Sequence, residues 1–277
     1  ALKPVNNIIQ ITKEIKASEL SKRVPVPHAN DEIKQLSLTL NEMLDRIQQA
    51  FMSQERFVAD ASHQLLTPLT IMRGELELLQ KAEHRDVDQF IKSALQEVDS
   101  LSSIVREMLL LARVDAGIGA MNLQDLNFDE LVFEALARCE KLAKSKDIKL
   151  KVTINNEPGD DHRLIRGDND LLENLIVNIV ENAIKYSPNK EVVSITLNHG
   201  SGHSALIVED NGPGIPEEQL PLIFERFSRG SNMEPKVKGF GLGLAIAQKI
   251  AILHSAKLSA ENHLGSGAKF TFEIKNI

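Results

Sequence analysis

The sequence predicts a multidomain chain, helical in its N-terminal part and mixed α/β in its C-terminal part. Three patterns predict it. From Ile33 to Leu65 apolar residues recur at three- and four-residue steps without Gly or Pro, the period of an amphipathic helix. Beyond Met121, strand-like alternation and helix-like periodicity take turns, as in a layered α/β domain. Glycines then concentrate in two short turns, Asp210-Asn211-Gly212-Pro213-Gly214-Ile215 and Gly239-Phe240-Gly241-Leu242-Gly243-Leu244, where backbone can approach a ligand that a Cβ would repel.

In chain order, Val5, Ile8, Ile9, Ile11 and Ile15 predict a helix to about Ala17, and the two prolines and polar residues of Ser18 to Asn30 a connector. Asp31-Glu32 give a second helix an acidic start. Its apolar positions are Ile33, Leu36, Leu40, Met43 or Leu44, Ile47, Phe51, Phe57 or Val58, Ala61 and Leu65, so one rod joins the first module to His63. That helix is expected to end over Leu76 to Lys81. The charged stretch Ala82 to Asp88 turns the chain, and a further helix runs from Phe90 to about Ala112 through Ile91, Ala94, Leu95, Val98, Leu101, Ile104, Val105, Met108 and Leu111. A lone helical hairpin buries too little apolar surface, so pairing with a second copy into a four-helix bundle is expected. Gly117-Ile118-Gly119 ends it. The expected modules are a relay module over 1–50, a helical hairpin over 51–117 and an α/β domain over 121–277.

Within the α/β domain, strands are predicted near residues 127, 148–154, 163–166, 192–198, 204–210, 257–261 and 268–274, and helices near 129–144, 169–186 and 243–254. The segment from Pro216 to Gly239, with Pro216, Pro221, Pro235 and Gly230 among scattered charges, fits neither pattern and is expected to be a mobile flap over a ligand.

Composition narrows the class. The 277 residues are 26% charged and 42% hydrophobic, with no run of 18 apolar residues, so a soluble globular chain is expected. A net charge of −7 argues against a nucleic-acid binder, which needs clustered Lys and Arg. The one cysteine, Cys139, cannot form an intramolecular disulfide, fits a reducing compartment and is expected to be a buried spectator. With Ala1 where an initiator Met would stand, the chain is expected to be a fragment. His199 and His203 flank Gly200-Ser201-Gly202 and are read as a hairpin turn; His28, His84, His162, His254 and His263 have no partners at ligand spacing, and no transition metal is assigned.

The two glycine turns, with Asn178-Ile179-Val180-Glu181-Asn182 upstream, describe a pocket for ATP. Asp210 ends a strand in a carboxylate, which only accepts hydrogen bonds and can take the exocyclic amine of adenine. The second turn leads into a helix from Leu244, whose first N–H groups favour the triphosphate. Asn178 and Asn182, four apart, share one helix face, where an amide oxygen can complete the shell of a phosphate-bound Mg2+. Lys185, a turn later beside Tyr186, is placed to meet phosphate.

The candidate nucleophile is His63. A neutral imidazole is abundant near its ordinary pKa, about 6.5, and one ring nitrogen can attack the γ-phosphorus. Pro68 cannot donate to the Gln64 carbonyl and is expected to bend the helix just past His63. Thr67, one turn on, shares its face and can orient water in a reverse, phosphatase reaction.

In order, Asn178 to Tyr186, Asp210 to Ile215, Phe224-Glu225-Arg226-Phe227, Gly239 to Leu244 and Gly265-Ser266-Gly267 resemble the N, G1, F, G2 and final glycine motifs of sensor histidine kinases. His63-Gln64-Leu65-Leu66-Thr67-Pro68 resembles that family's phosphoacceptor box, and Pro4 with Asp31-Glu32 its HAMP relay module. The resemblance implies an α/β sandwich of the GHKL (Bergerat) ATPase type, with ATP and Mg2+ as cofactors and the metal held chiefly by Asn182, supported by Asn178. The implied nucleotide site comprises Lys185, Tyr186, Asp210, Gly212, Gly214, Ile215, Gly239, Gly241, Leu242, Gly243 and Leu244, with Arg229 a phosphate contact in the flap. It further implies a homodimer, transfer from His63 to an aspartate of a response-regulator receiver domain, and attachment through a missing upstream sensor and transmembrane segment at the cytoplasmic face of the bacterial inner membrane.

Two residues depart from the family pattern: Gln64 stands where an acid is usual and Leu66 where Arg is usual. An amide orients the imidazole without stabilising its developing charge, so slower autophosphorylation is expected. A GHKL-type ATP-driven conformational machine is the alternative. In such ATPases a water-activating glutamate occupies the position of Asn178, and an amide is no base. A non-catalytic dimerising scaffold would fail to bind ATP with magnesium.

Overall fold

The computed structural model describes residues 3–16, 19–27, 32–81, 87–116, 121–156, 163–200, 202–228, 240–263 and 267–277. The chain divides into two compact units, Ala1–Thr67 and Pro68–Ile277, with the division inside one helix.

In the first unit, α1 (Lys3–Glu14) is followed by an extended connector and the N-terminal part of α2 (Glu32–Lys81). Ile8, Val24 and Leu44 are buried together, with Ile11, Ile15, Ile33 and Leu40 packed against them. Leu44 therefore takes the inward position that periodicity shared with Met43, which is exposed. The connector is pinned to α2 by polar contacts. Asn41 accepts from Val24 N at 2.8 Å and donates to Val24 O at 2.9 Å, satisfying an extended residue that has no strand beside it. Arg23 donates to Asp45 at 3.0 Å and to Gln48 at 2.6 Å. Leu36 and Ile47, expected to face inward, are exposed.

The second unit begins with the end of α2 and with α3 (Val87–Ala116). Helix α3 is about a turn longer at each end than periodicity indicated, because Asp88 in its first turn and Arg113 in its last complement the helix dipole. Ile91, Leu95, Val98, Val105 and Leu109 form an exposed row along it, at spacings of a helix seam. Ser93 on α3 donates to Glu75 on α2 at 2.8 Å.

The remainder is a two-layer α/β sandwich. A five-stranded sheet runs β2-β4-β5-β7-β6, where β2 is Lys149–Asn156, β4 Val192–Gly200, β5 His203–Glu209, β6 Lys257–Asn262 and β7 Ala268–Lys275. The β2–β4 pair is parallel and the others antiparallel. β1 (Leu123–Asn127) and β3 (Leu164–Asp168) form a separate antiparallel pair. Burial alternates strictly along β4 and β5, so one sheet face meets the helices. Those are α4 (Phe128–Ser145), α5 (Asn169–Tyr186) and α6 (Gly243–Leu253), with α4 packed on α5, α5 on α6, and α6 on α3. Strand-to-helix junctions are set by caps. Asn127 accepts from Asp129 N and Glu130 N, and Asp168 from Leu171 N, satisfying helix-start donors.

His199 and His203 flank the turn between β4 and β5, as expected. His199 is also buried in β4, with Nε2 at 2.8 Å from Asp129 Oδ1 and Nδ1 at 3.0 Å from Ser204 Oγ. Asp129 also accepts from Arg163 at 2.9 Å, and Ser204 donates to Asn276 at 2.8 Å. This network ties the start of α4 to the far end of the sheet. Cys139 is fully buried and its thiol is pushed up to about 12 by desolvation, which keeps it an unreactive thiol at neutral pH.

His254 caps α6. Nδ1 lies 2.8 Å from Ile250 O, and Nε2 accepts from Asp168 N at 3.0 Å. Burial depresses its pKa below the ordinary 6.5. The unfolded chain then binds the extra proton more readily, so this contribution to stability is complete above about pH 6.5 and is lost as pH falls through the depressed folded value. Urea unfolding of the α/β domain followed by circular dichroism between pH 5 and 7 should therefore show declining stability toward acid, with a shallower decline in His254→Gln.

Candidate functional site

The polar face of α5 builds the site. Leu172, Leu175, Ile176, Ile179, Val180, Ala183 and Ile184 are buried, which fixes the helix rotation and turns Asn178, Glu181, Asn182, Lys185 and Tyr186 into one pocket. The same pocket is lined by Asp210, Pro213, Gly214 and Ile215 from the first glycine turn and by Gly241, Gly243 and Leu244 from the second. Three segments, the outermost residues of which, Asn178 and Leu244, are 66 positions apart in sequence, are thereby gathered around one cavity of the second unit.

Asp210 is buried at its base. Oδ1 accepts from Gly212 N at 2.8 Å and from Ala268 N at 3.1 Å, which leaves Oδ2 for a ligand. Desolvation raises its pKa above the usual carboxylate value, and the two backbone bonds offset this in part. Gly267 makes the arrangement possible. It has φ +99°, and a Cβ there would lie 1.8 Å from Asp210 O, so only glycine lets β7 reach the turn. At Gly243 a Cβ would lie 2.4 Å from Asn178 Oδ1, so a side chain there would push the Asn178 amide aside. The Asn178 amide NH2 is engaged by Asn174 O and Oδ1 at 3.0 and 2.8 Å, so its oxygen is the atom presented to Gly243.

Lys185 is held by Glu181 at 2.7 Å, so a phosphate would have to share or displace that carboxylate. Leu242 is buried outside the lining and gives way to Gly243 at the start of α6. Gly212 supports Asp210 from behind, packed against the Tyr186 carbonyl. Arg229, Gly239, Asp31 and Gly265-Ser266 lie outside the described residues, as does the 229–239 part of the expected flap. Its described part, 216–228, is a series of turns tied to the second glycine turn by Phe227 N donating to Gly241 O at 2.9 Å.

Some contributors carried no sequence signal. Asn262 grips Ile215 at both backbone atoms, 2.7 Å each way. Lys146 caps α5 by donating to the carbonyls of Ile184, Lys185 and Ser187 at 2.9, 2.8 and 2.6 Å. Glu107 of α3, with Gln219, Ile223, Ser228, Ala268 and Phe270, joins Phe240 of the second glycine turn in completing the lining.

His63 belongs to the first unit, exposed on α2. Gln64 beside it is half-buried. Thr67 is exposed and turns its hydroxyl back to His63 O at 3.0 Å, a bond that competes with any role toward water.

Three family models match the chain in order: the HAMP domain over 1–49, the His Kinase A (phospho-acceptor) domain over 53–117, and the Histidine kinase-, DNA gyrase B-, and HSP90-like ATPase over 167–276. The sensor protein CutS of Streptomyces coelicolor is 32% identical over 96% of this chain and 63% of its own length. The signal transduction histidine-protein kinase BaeS of Escherichia coli is 28% identical over 99% of this chain and 57% of its own. Histidine kinase AdeS of Acinetobacter baumannii has a solved structure with TM-score 0.61 at 26% identity, covering 77% of this chain and 97% of that one. Histidine kinase ThkA, solved in complex with the response regulator protein TrrA, shares the fold at TM-score 0.64 and 22% identity, over 89% of this chain and 68% of that one. Fold and pocket thus define a nucleotide-binding domain of the GHKL ATPase type joined to a helical phosphoacceptor region. The chain belongs to the sensor histidine kinases of two-component systems, and it spans less than two thirds of the length of these curated relatives.

The raised Asp210 pKa has a stability consequence with a definite sign. A carboxyl whose folded pKa lies above its unfolded value stabilises the fold when protonated, and that contribution is lost as pH rises through the folded value. At neutral pH the ionised group therefore costs stability. Asp210→Asn keeps an oxygen for both backbone donors and should raise the nucleotide-free melting temperature, while weakening ATP binding by roughly thirtyfold, the loss of about 2 kcal/mol for a hydrogen bond to charge. Calorimetric melting and titration check the two halves.

Proposed function

We propose that the chain is the signalling and catalytic portion of a sensor histidine kinase that phosphorylates His63 from ATP and passes the phosphoryl group to an aspartate of a response-regulator receiver domain. The observation that carries this reading is the pocket in which one α5 face, the Asp210 turn and the start of α6 converge, in a chain that also presents an exposed histidine on α2. The modules we assign are 1–50 for relay, 51–117 for dimerisation and phosphotransfer, and 121–277 for nucleotide binding.

In the proposed reaction Asp210 reads the adenine amine and the first N–H groups of α6 meet the phosphates, with Lys185 released from Glu181. A neutral ring nitrogen of His63 attacks the γ-phosphorus, the bond to the β–γ bridging oxygen breaks, and ADP departs with that oxygen. Asn182, supported by the outward oxygen of Asn178, would hold Mg2+, an ion that takes oxygen donors and supplies charge neutralisation to the phosphates. Asn178 also disfavours a water-splitting machine, because its amide cannot act as a base. Arg229 is assigned to the phosphates.

The exposed row on α3, from Ile91 to Leu109, supports a homodimer that buries it. No helix among the described residues is long and apolar enough to cross a membrane; sequence outside this chain would supply the tether to the cytoplasmic face of the bacterial inner membrane. The TrrA complex of ThkA supports the choice of partner, and the phosphatase direction would use Thr67 once its hydroxyl leaves the His63 carbonyl.

Incubation with γ-labelled ATP should yield an acid-labile, base-stable protein adduct that is absent in His63→Ala; an adduct of the same size in that variant would remove the assignment. Gln64→Glu places an acid beside the imidazole and should raise the single-turnover rate of phosphate incorporation about tenfold, less than the roughly 100-fold of one oxyanion-hole donor, because the acid acts on the imidazole and not on the transferred group. Rapid-quench measurement of both proteins checks it.

A further inference from the structure

Glu107 lines the nucleotide pocket, yet it belongs to α3 and not to the α/β domain. Its Oε1 accepts from Ser103 Oγ at 3.2 Å, one turn back on the same helix. It shares that lining with Lys185 and Glu181 of α5 and interacts electrostatically with both, and with Arg106 on α3. Burial raises its pKa, and the Ser103 bond and Lys185 offset only part of that, which marks a carboxylate held where water solvates it poorly. Lys185 is already neutralised by Glu181 at 2.7 Å. The end of the pocket assigned to phosphate therefore holds two carboxylates against one ammonium.

Helix α3 is held in this position by a second acid. Asp115 pairs with Lys249 of α6 at 3.2 Å and with Arg226, in the series of turns over 216–228. α3 and α6 also pack directly.

We infer that Glu107 is a nucleotide-discriminating residue: from docked α3 it opposes negative charge at the phosphate end of the pocket, so that phosphate-rich nucleotide and α3 docking work against each other. The inference rests on the ATP reading of the pocket and adds to it a residue from the phosphoacceptor hairpin. Two consequences follow from electrostatics alone. The penalty grows with the number of phosphates, and it shrinks with salt. By reciprocity, whatever loosens α3 from the nucleotide domain must tighten nucleotide binding.

Dissociation constants of adenosine, ADP and an imido-bridged ATP analogue, measured by calorimetric titration on the full 277-residue chain, test this. Glu107→Gln keeps an oxygen for Ser103 and removes the charge. It should tighten the ATP analogue about fivefold at low salt, ADP by less and adenosine not at all, with the gain fading at high salt. Asp115→Asn does not enter the pocket but releases α3, and should tighten the same ligands in the same order; adding Glu107→Gln to it should then gain little. Equal affinities in wild type and Glu107→Gln, or equal gains for all three ligands, would overturn the inference alone. So would weaker binding of the analogue by Glu107→Gln only when Mg2+ is present, which would make Glu107 a metal ligand. Absence of nucleotide binding by the wild-type chain would remove the ATP reading and this inference together.

Discussion

Helix α5 has to satisfy two media at once, and the rest of the nucleotide domain depends on how it does so. Its apolar face, from Leu172 to Ile184, is shut away from water between α4, α6 and the sheet, and each such side chain contributes about 2 kcal/mol when fully buried. No other rotation of the helix buries that set. The polar residues four positions apart are therefore aimed by the rotation of the helix, and their contacts with one another, Asn178 to Asn174 and Lys185 to Glu181, only refine that aim. The ends are fixed as firmly as the face. Asp168 caps the start, and the Lys146 ammonium takes three carbonyls at the finish. That lysine sits at a helix C-terminus, where a cation is favoured, and its pKa is nonetheless lowered by desolvation. A charge is held partly out of water to keep Tyr186 and the Asp210 turn in register.

The Asp210 turn shows the same logic with backbone in place of side chains. A carboxylate is kept poorly solvated beside two donors, which would be wasteful for stability alone and suits a group reserved for an incoming hydrogen-bond donor. Its surroundings are assembled from three separate strand ends. Gly267 permits contact closer than any side chain would allow, and Asn262 completes the turn by imitating a strand partner for Ile215.

The helical part follows a different rule. In the first unit a small core of Ile8, Val24 and Leu44 is supplemented by side chain to backbone bonds, Asn41 to Val24 above all. Such a module holds its connector by directional contacts as much as by burial. On α3 the apolar row is left outward while Glu107 and Asp115 on other faces reach the nucleotide domain. One helix thus carries an exposed apolar row on one face and, on others, acids that reach the nucleotide domain.

Much of this was legible from the chain alone. Periodicity located α4, α5, α6 and the strands of the main sheet, because amphipathic spacing is a local property that burial on one face enforces. It also placed Asn178, Asn182 and Lys185 on one face, and glycine turns next to them. It erred where local pattern was silent or misleading: the charged start of α3, Val87-Asp88, looked like turn, and the hairpin reading of His199, correct for the β4–β5 turn, gave no hint that the ring is shut in against Asp129, 70 positions away. Glu107, Asn262 and Lys146 were invisible for the same reason. Each acts on a segment 38 or more positions distant, and only the strand order β2-β4-β5-β7-β6 and the packing of α3 on α6 bring those segments together. Residue types and spacing thus set what chemistry the chain can perform and which face of each element carries it. The tertiary fold alone settled which acids and amides surround that chemistry, since contacts between distant segments depend on how whole layers stack and not on any period within them.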